Sequence, residues 1–139
     1  MTIVTNHETE TMHEGETLGM TLSSGTVVTL YGGLGTGKTV FVRGIASGLG
    51  IEARVSSPTF TIVNEYDGKT PLFHFDLYRI EDEKELFDIG WDDYLGRGGV
   101  CVVEWSENAP RAFPPDAVVV KLENLGGNKR RIEVISNRE

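Results

Sequence analysis

Apolar positions along the 139-residue chain change period several times, and each change marks an element. From Glu8 to Ser23 the apolar points are sparse (Met12, Leu18, Met20, Leu22), predicting a short, irregular helix that ends at Ser23-Ser24-Gly25. The β-branched run 26–31 predicts the first strand. Lys38 to Leu49 then places Phe41, Ile45 and Leu49 four residues apart, one face of a helix closed by Gly50. Gly44 and Gly48 weaken that helix by about 1 kcal/mol each relative to alanine, and close packing against a sheet is the expected compensation.

Beyond it, 54–60 reads as a loop entering a strand at 60–66. A turn at Asp67-Gly68-Lys69 and a strand over Leu72–Leu77 follow, so the two strands form an antiparallel pair. Ile80–Ile89 predicts an acidic helix with Leu86 and Ile89 inward, and Trp91–Leu95 a second short helix ending at Gly96. Gly99–Glu104 has the unbroken apolar run of a parallel strand covered on both faces. After the loop marked by Pro110, Pro114 and Pro115, Ala117–Leu122 and Arg130–Ile135 predict two closing strands joined through 124–128. A few residues at each end are expected to be untethered. The expected fold class is α/β, one domain over 1–139: a P-loop NTPase-like mixed, mostly parallel sheet flanked by helices, with antiparallel strand pairs.

Between the first strand and its helix lies Gly32-Gly33-Leu34-Gly35-Thr36-Gly37-Lys38-Thr39, a complete G-x-x-x-x-G-K-[ST] loop. Glycines let successive backbone N–H groups turn inward around the phosphates of a nucleotide. Lys38 supplies a mobile cation for the β- and γ-phosphates, Thr39 a hydroxyl ligand for Mg²⁺, and the helix N-terminus a positive dipole end. Strand, glycine loop and helix occur in the required order, which predicts binding of ATP or ADP with Mg²⁺.

Composition narrows the partners. The net charge is −8, and the only basic cluster is Lys129-Arg130-Arg131, which argues against a direct grip on DNA or RNA. The acidic stretch from Asp76 to Asp93 reads either as a solvated helix face or as a docking surface for a more basic protein. No apolar run approaches the ~18 residues of a membrane span. With no signal-peptide pattern and a single cysteine, Cys101, placed in an apolar run, a cytoplasmic protein is expected.

Hydrolysis needs acidic residues near the phosphates, usually at the ends of neighbouring strands. Glu104 and Asp76 both stand at strand ends, and spacing leaves open which serves Mg²⁺ and which orients water. His74, alone on a strand, reads as a satisfied structural residue. Thr59 is either a γ-phosphate sensor or a strand-entry residue beside Pro58, and Trp105 either a core aromatic or a lid.

Taken with the phosphate loop, Ser57-Pro58-Thr59-Phe60-Thr61, His74-Phe75-Asp76-Leu77-Tyr78-Arg79 and Val103-Glu104-Trp105 make a chain that resembles the TsaE (YjeE) family from about Thr11 to Ile135. The resemblance implies the ATPase component of bacterial tRNA threonylcarbamoyladenosine (t6A) biosynthesis. Such a component docks on a TsaB–TsaD pair, meets tRNA only through those partners, and does not transfer the threonylcarbamoyl group itself. Carried over by motif, Gly33, Leu34, Gly35, Thr36, Gly37 and Lys38 hold phosphates. Thr39 and Glu104 match the Mg²⁺ positions, Asp76 the essential acidic residue, Thr59 the switch-like loop and Trp105 the aromatic flanking the site. Glu8 lies in the stretch that corresponds to the adenine contact. Gly33 departs from the acidic residue many members carry, which is expected to change affinity rather than abolish binding. One of Lys129, Arg130 and Arg131 is a candidate cation for the nucleotide. A small-molecule P-loop kinase and a nucleotide-dependent scaffold are the competing readings; for the kinase, little chain remains to build an Arg-bearing lid and an acceptor pocket.

Overall fold

Two apolar runs form the centre of the molecule: β2 (Val27–Tyr31) and β5 (Val100–Glu104) lie side by side in parallel, and every residue of β5 is buried. The computed structural model describes residues 1–33, 35–52, 54–56, 58 and 62–136. Its seven-stranded sheet has the order β1-β7-β6-β2-β5-β4-β3. The inner strands β6 (Val118–Gly126), β2, β5 and β4 (Leu72–Asp76) are mutually parallel. One flank is extended by β7 (Lys129–Ile135) and β1 (Thr2–Thr5), the other by β3 (Val63–Tyr66), each paired antiparallel to its neighbour.

Strand alternation splits the core between the two faces. On one face Val28, Leu30, Leu72, Val100, Val102, Val118 and Val120 pack with Phe41, Val42 and Ile45 of α2 (Lys38–Gly48). On the other, Phe73, Phe75, Cys101 and Val103 meet Leu86 of α3 (Lys84–Asp88) and Trp91 of α4 (Trp91–Leu95). Cys101 is fully enclosed, and burial pushes its thiol up to about 12, so it is a packing residue.

Four expectations change. The polar N-terminal stretch is a regular twelve-residue helix, α1 (Glu8–Gly19), with the Glu10 carboxylate accepting the Asn6 N–H at 2.6 Å. Its partner is α2, and Gly44 and Gly48 face it rather than the sheet. A Cβ at Gly44 would collide with the Met12 carbonyl oxygen, and one at Gly48 with that of Glu16. The helices therefore meet backbone to backbone along Gly15, Gly19, Gly44 and Gly48, which removes the need for an apolar stripe on α1. The N-terminus is also tied down, because Met1 and Val134 exchange backbone hydrogen bonds of 3.0 and 2.9 Å beyond the β1–β7 pairing.

The acidic helix is shorter than expected, 84–88 instead of 80–89. Its carboxylates explain why: Glu85 accepts the N–H groups of Glu81 and Asp82 at 2.6 and 3.0 Å, while Asp82 accepts that of Lys84 at 2.9 Å. These bonds hold a turn upstream of the helix. Part of the negative charge thus serves local backbone donors. Among the described residues no helix is long and apolar enough to cross a membrane.

Candidate functional site

All the candidate groups that converge do so at the carboxyl edge of the parallel strands, where open α/β sheets bind their ligands. The loop after β2 turns through Gly35 and Gly37, whose φ angles of 74° and 91° favour glycine, and Gly37 caps α2. Leu34 lies outside the described residues, as does Thr59. Gly33 is exposed, and a side chain there would meet nothing within 4 Å.

Lys38, in the first turn of α2, is 7% exposed. Its ammonium donates to the Gly32 carbonyl at 2.7 Å, lies 4.0 Å from Glu104 Oε1 and sits 4.2 Å from the centroid of the Trp105 ring. Burial lowers its pKa, an effect opposed by the negative charges of Glu104, Asp76 and Glu107.

β4 and β5 bring the two carboxylates together: Asp76 and Glu104 are register partners at the ends of adjacent parallel strands. Asp76 Oδ1 accepts the Tyr78 N–H at 2.9 Å. Burial raises the Asp76 pKa, Glu104 pushes in the same direction, and the Tyr78 bond, His74 and Lys38 oppose. Trp105, directly after β5, holds a left-handed backbone (φ 57°, ψ 39°), and Tyr78 packs against its ring at 4.9 Å. Strain of this kind in a non-glycine residue persists where surrounding contacts enforce it. Trp105 packs on the second core cluster, and its ring lies against the Lys38 ammonium.

These groups enclose a cleft of about 340 Å³ lined by Thr36, Gly37, Lys38, Thr39, Asp76, Arg79, Glu104 and Trp105, among others. A smaller cavity of about 40 Å³ adjoins it, sharing Gly37 and Val40 and closed by Glu8, Thr11, Asn128 and Arg130. Glu8 thus lines the smaller cavity, while Asp76 and Glu104 line the larger cleft. Among the described residues, no group of three or more His, Cys, Asp or Glu side chains forms a metal cage. The hydroxyl of Thr39 and the carboxylates of Asp76 and Glu104 are hard oxygen donors that could share a small divalent cation with a bound phosphate.

The profile of the family described as "Threonylcarbamoyl adenosine biosynthesis protein TsaE" matches residues 5–132. The chain belongs to the TsaE family. A protein of Treponema pallidum named "tRNA threonylcarbamoyladenosine biosynthesis protein TsaE" is 40% identical over 96% of this chain and 99% of its own length. The Bacillus subtilis protein of that name is 48% identical over 78% of this chain and 68% of its own. A crystal structure of Bacillus subtilis YdiB superposes with a TM-score of 0.83 at 34% identity, covering 98% of this chain and 84% of that one. The mixed sheet with parallel inner strands is thus shared with that structure.

The structure gives partners to His74, read from the sequence as structural, and to one of the three basic residues offered as a candidate cation. His74 is fully buried with Nε2 2.5 Å from Glu104 Oε2, and it was legible in the two-residue spacing that places it on the face of Asp76. Arg130 is the member of the basic triplet that reaches the loop: its Nε donates to the Thr36 carbonyl at 3.1 Å. Lys129 is exposed and Arg131 pairs with Glu123. Only the register of the β6–β7 hairpin separates the three.

Proposed function

We propose that this chain binds ATP with Mg²⁺ in the cleft, hydrolyses it, and thereby serves tRNA t6A biosynthesis as a partner of a TsaB–TsaD complex. The observation that carries the reading is the pairing of Asp76 with Glu104 opposite Lys38 and Thr39. One cation and one hydroxyl face two carboxylates across a cleft whose floor is a glycine loop at a helix N-terminus, the complement of a magnesium-bound polyphosphate.

In this reading the loop amides and Lys38 hold the β- and γ-phosphates, the ammonium exchanging its bond to the Gly32 carbonyl for phosphate oxygen. Thr39 and Glu104 would hold Mg²⁺, which would supply charge neutralisation to the phosphates. Asp76, whose pKa is raised by burial, is suited to orient the attacking water and accept its proton. Glu8, Thr11 and Val40 receive the base end in the adjoining cavity. The role in t6A biosynthesis rests on the names of the relatives, and the acidic surface suits a component that acts through protein contacts.

Calorimetry with ATP and ADP in the presence of Mg²⁺ tests binding, and phosphate release tests turnover. No heat from either nucleotide refutes the site assignment. Glu104→Gln is expected to retain ADP and lose at least 100-fold in turnover. Capture on an immobilised TsaB–TsaD complex with ATP, with ADP and without nucleotide tests the partner; no capture under any condition rejects it. Loss of turnover in Glu104→Gln with normal t6A in cells would favour the scaffold reading.

A further inference from the structure

His74 is an anomaly for a core position. It lies on β4 between Phe73 and Phe75, its side chain on the α2 face of the sheet with Leu72, and it is completely buried. An apolar residue would pack there without needing a partner, yet the imidazole presents two polar atoms. Nε2 is 2.5 Å from Glu104 Oε2; Nδ1 has no hydrogen-bond partner among the described residues. Leaving a buried polar atom unmatched is costly, of order 1–3 kcal/mol. The position therefore gains nothing in stability from a histidine over a well-packed aliphatic side chain.

His74 is the register partner of Val102, one diagonal step from Glu104, and two residues before Asp76 on the same strand face. Glu104 is a buried side chain at the end of β5. With Oε2 accepting from His74, the carboxylate is turned so that Oε1 faces Lys38 at 4.0 Å and the cleft. We propose that His74 is a positioning residue: its Nε2–H pins one Glu104 oxygen so that the other is presented to the metal–phosphate side of the cleft. This rests on the nucleotide-hydrolysing reading above. Hydrogen bonds to ligating carboxylates commonly matter 10–100-fold in metal affinity or activity.

The test compares His74→Leu, which removes the donor, with His74→Gln, which keeps an N–H at similar reach. Two quantities are read: steady-state ATP hydrolysis, and Mn²⁺ affinity of the ADP complex by electron paramagnetic resonance. His74→Leu is expected to lower kcat 10–100-fold with KM changed less than threefold, and to weaken Mn²⁺ about tenfold. His74→Gln should recover most of both losses. In a Glu104→Gln background, His74→Leu should cost less than a further twofold, because the group it positions is already disabled. Should the leucine variant not fold, His74→Asn replaces it, since its amide is too short to reach Glu104.

Wild-type kcat and Mn²⁺ affinity in the donor-less variant overturn the proposal. So does a loss of equal size in the Glu104→Gln background, which would make His74 purely structural. If wild-type protein binds Mn²⁺ and ADP but hydrolyses no ATP, the hydrolysis reading falls, and Mn²⁺ affinity alone decides His74: a tenfold loss supports it, equality overturns it. A wild type that binds neither sinks both.

Discussion

Asp76 and Glu104 face each other across β4 and β5 as register partners, two carboxylates on one sheet face at the rim of the cleft. The fold places like charges side by side in a partly desolvated setting, and the Asp76 pKa rises, first from burial and then from Glu104. A raised carboxylate pKa contributes stability below its unfolded value, and that contribution is lost as pH rises through the folded value. At neutral pH ionised Asp76 therefore destabilises the ligand-free protein. Asp76→Asn is expected to raise the melting temperature by a few degrees at pH 7, with the gain shrinking as pH falls through the raised folded value and gone below the ordinary carboxylate value of about 4. The same variant should lose at least 100-fold in turnover. Calorimetric melting across pH checks the first expectation; a gain that grows on acidification contradicts it.

The contact between Gly44 and Met12 reverses an ordinary rule. Alanine normally stabilises a helix interior relative to glycine by about 1 kcal/mol. Here the added methyl would strike the Met12 carbonyl and force α1 away from α2. Gly44→Ala is expected to destabilise by about 1–3 kcal/mol, the usual cost of overpacking. Denaturant unfolding followed by circular dichroism checks it, and an unfolding midpoint at or above wild type would show that the helices part freely.

That contact also explains how the sequence could be read and misread. The phosphate loop is a local motif whose meaning lies in eight consecutive residues, and β5 announces itself by the unbroken run Val100-Cys101-Val102-Val103. α1 does not, because Gly15 and Gly19 pack by absence of a side chain and leave no apolar stripe to detect. β1 is only four residues long, and its partner β7 stands more than 120 positions away, beyond any local pattern. Asp76 and Glu104 were legible as strand ends, but their pairing required the strand order. The contact between His74 and Glu104 was not legible, because the two stand 30 residues apart on different strands.

Arg130 ties the β6–β7 hairpin to the phosphate loop. Besides its bond to the Thr36 carbonyl, its guanidinium donates to the Gly127 carbonyl at 2.8 Å and to Asn124 Oδ1 at 3.0 Å, while Asn124 Nδ2 donates to the Gly35 carbonyl at 3.1 Å. Arg130→Ala removes the strap and should weaken ADP about tenfold, with a melting point lower by several degrees. Arg131→Ala breaks only the exposed pair with Glu123, where about 0.2–1 kcal/mol of stability is at stake and ADP affinity should hold. Titration calorimetry on the two variants separates them; equal ADP affinities would mean that the hairpin does not support the loop.

Trp105 offers an optical report on Lys38. The chain has two tryptophans, and Trp91 is fully buried, its indole N–H donating to the Ala112 carbonyl at 3.1 Å. Trp105 is half-buried, with the Lys38 ammonium 4.2 Å above its ring. A cation over an indole face is held by about 0.5–2 kcal/mol, weak against a polyphosphate. Nucleotide should draw the ammonium off the ring and change the polarity around it, so the emission of Trp105 should shift on ADP addition. Trp105→Phe should abolish the shift, Trp91→Phe should leave it, and Lys38→Ala should give a ligand-free spectrum that ADP no longer alters. A shift surviving in Trp105→Phe would trace the signal to the core, and the lysine–tryptophan contact would then have no part in nucleotide capture.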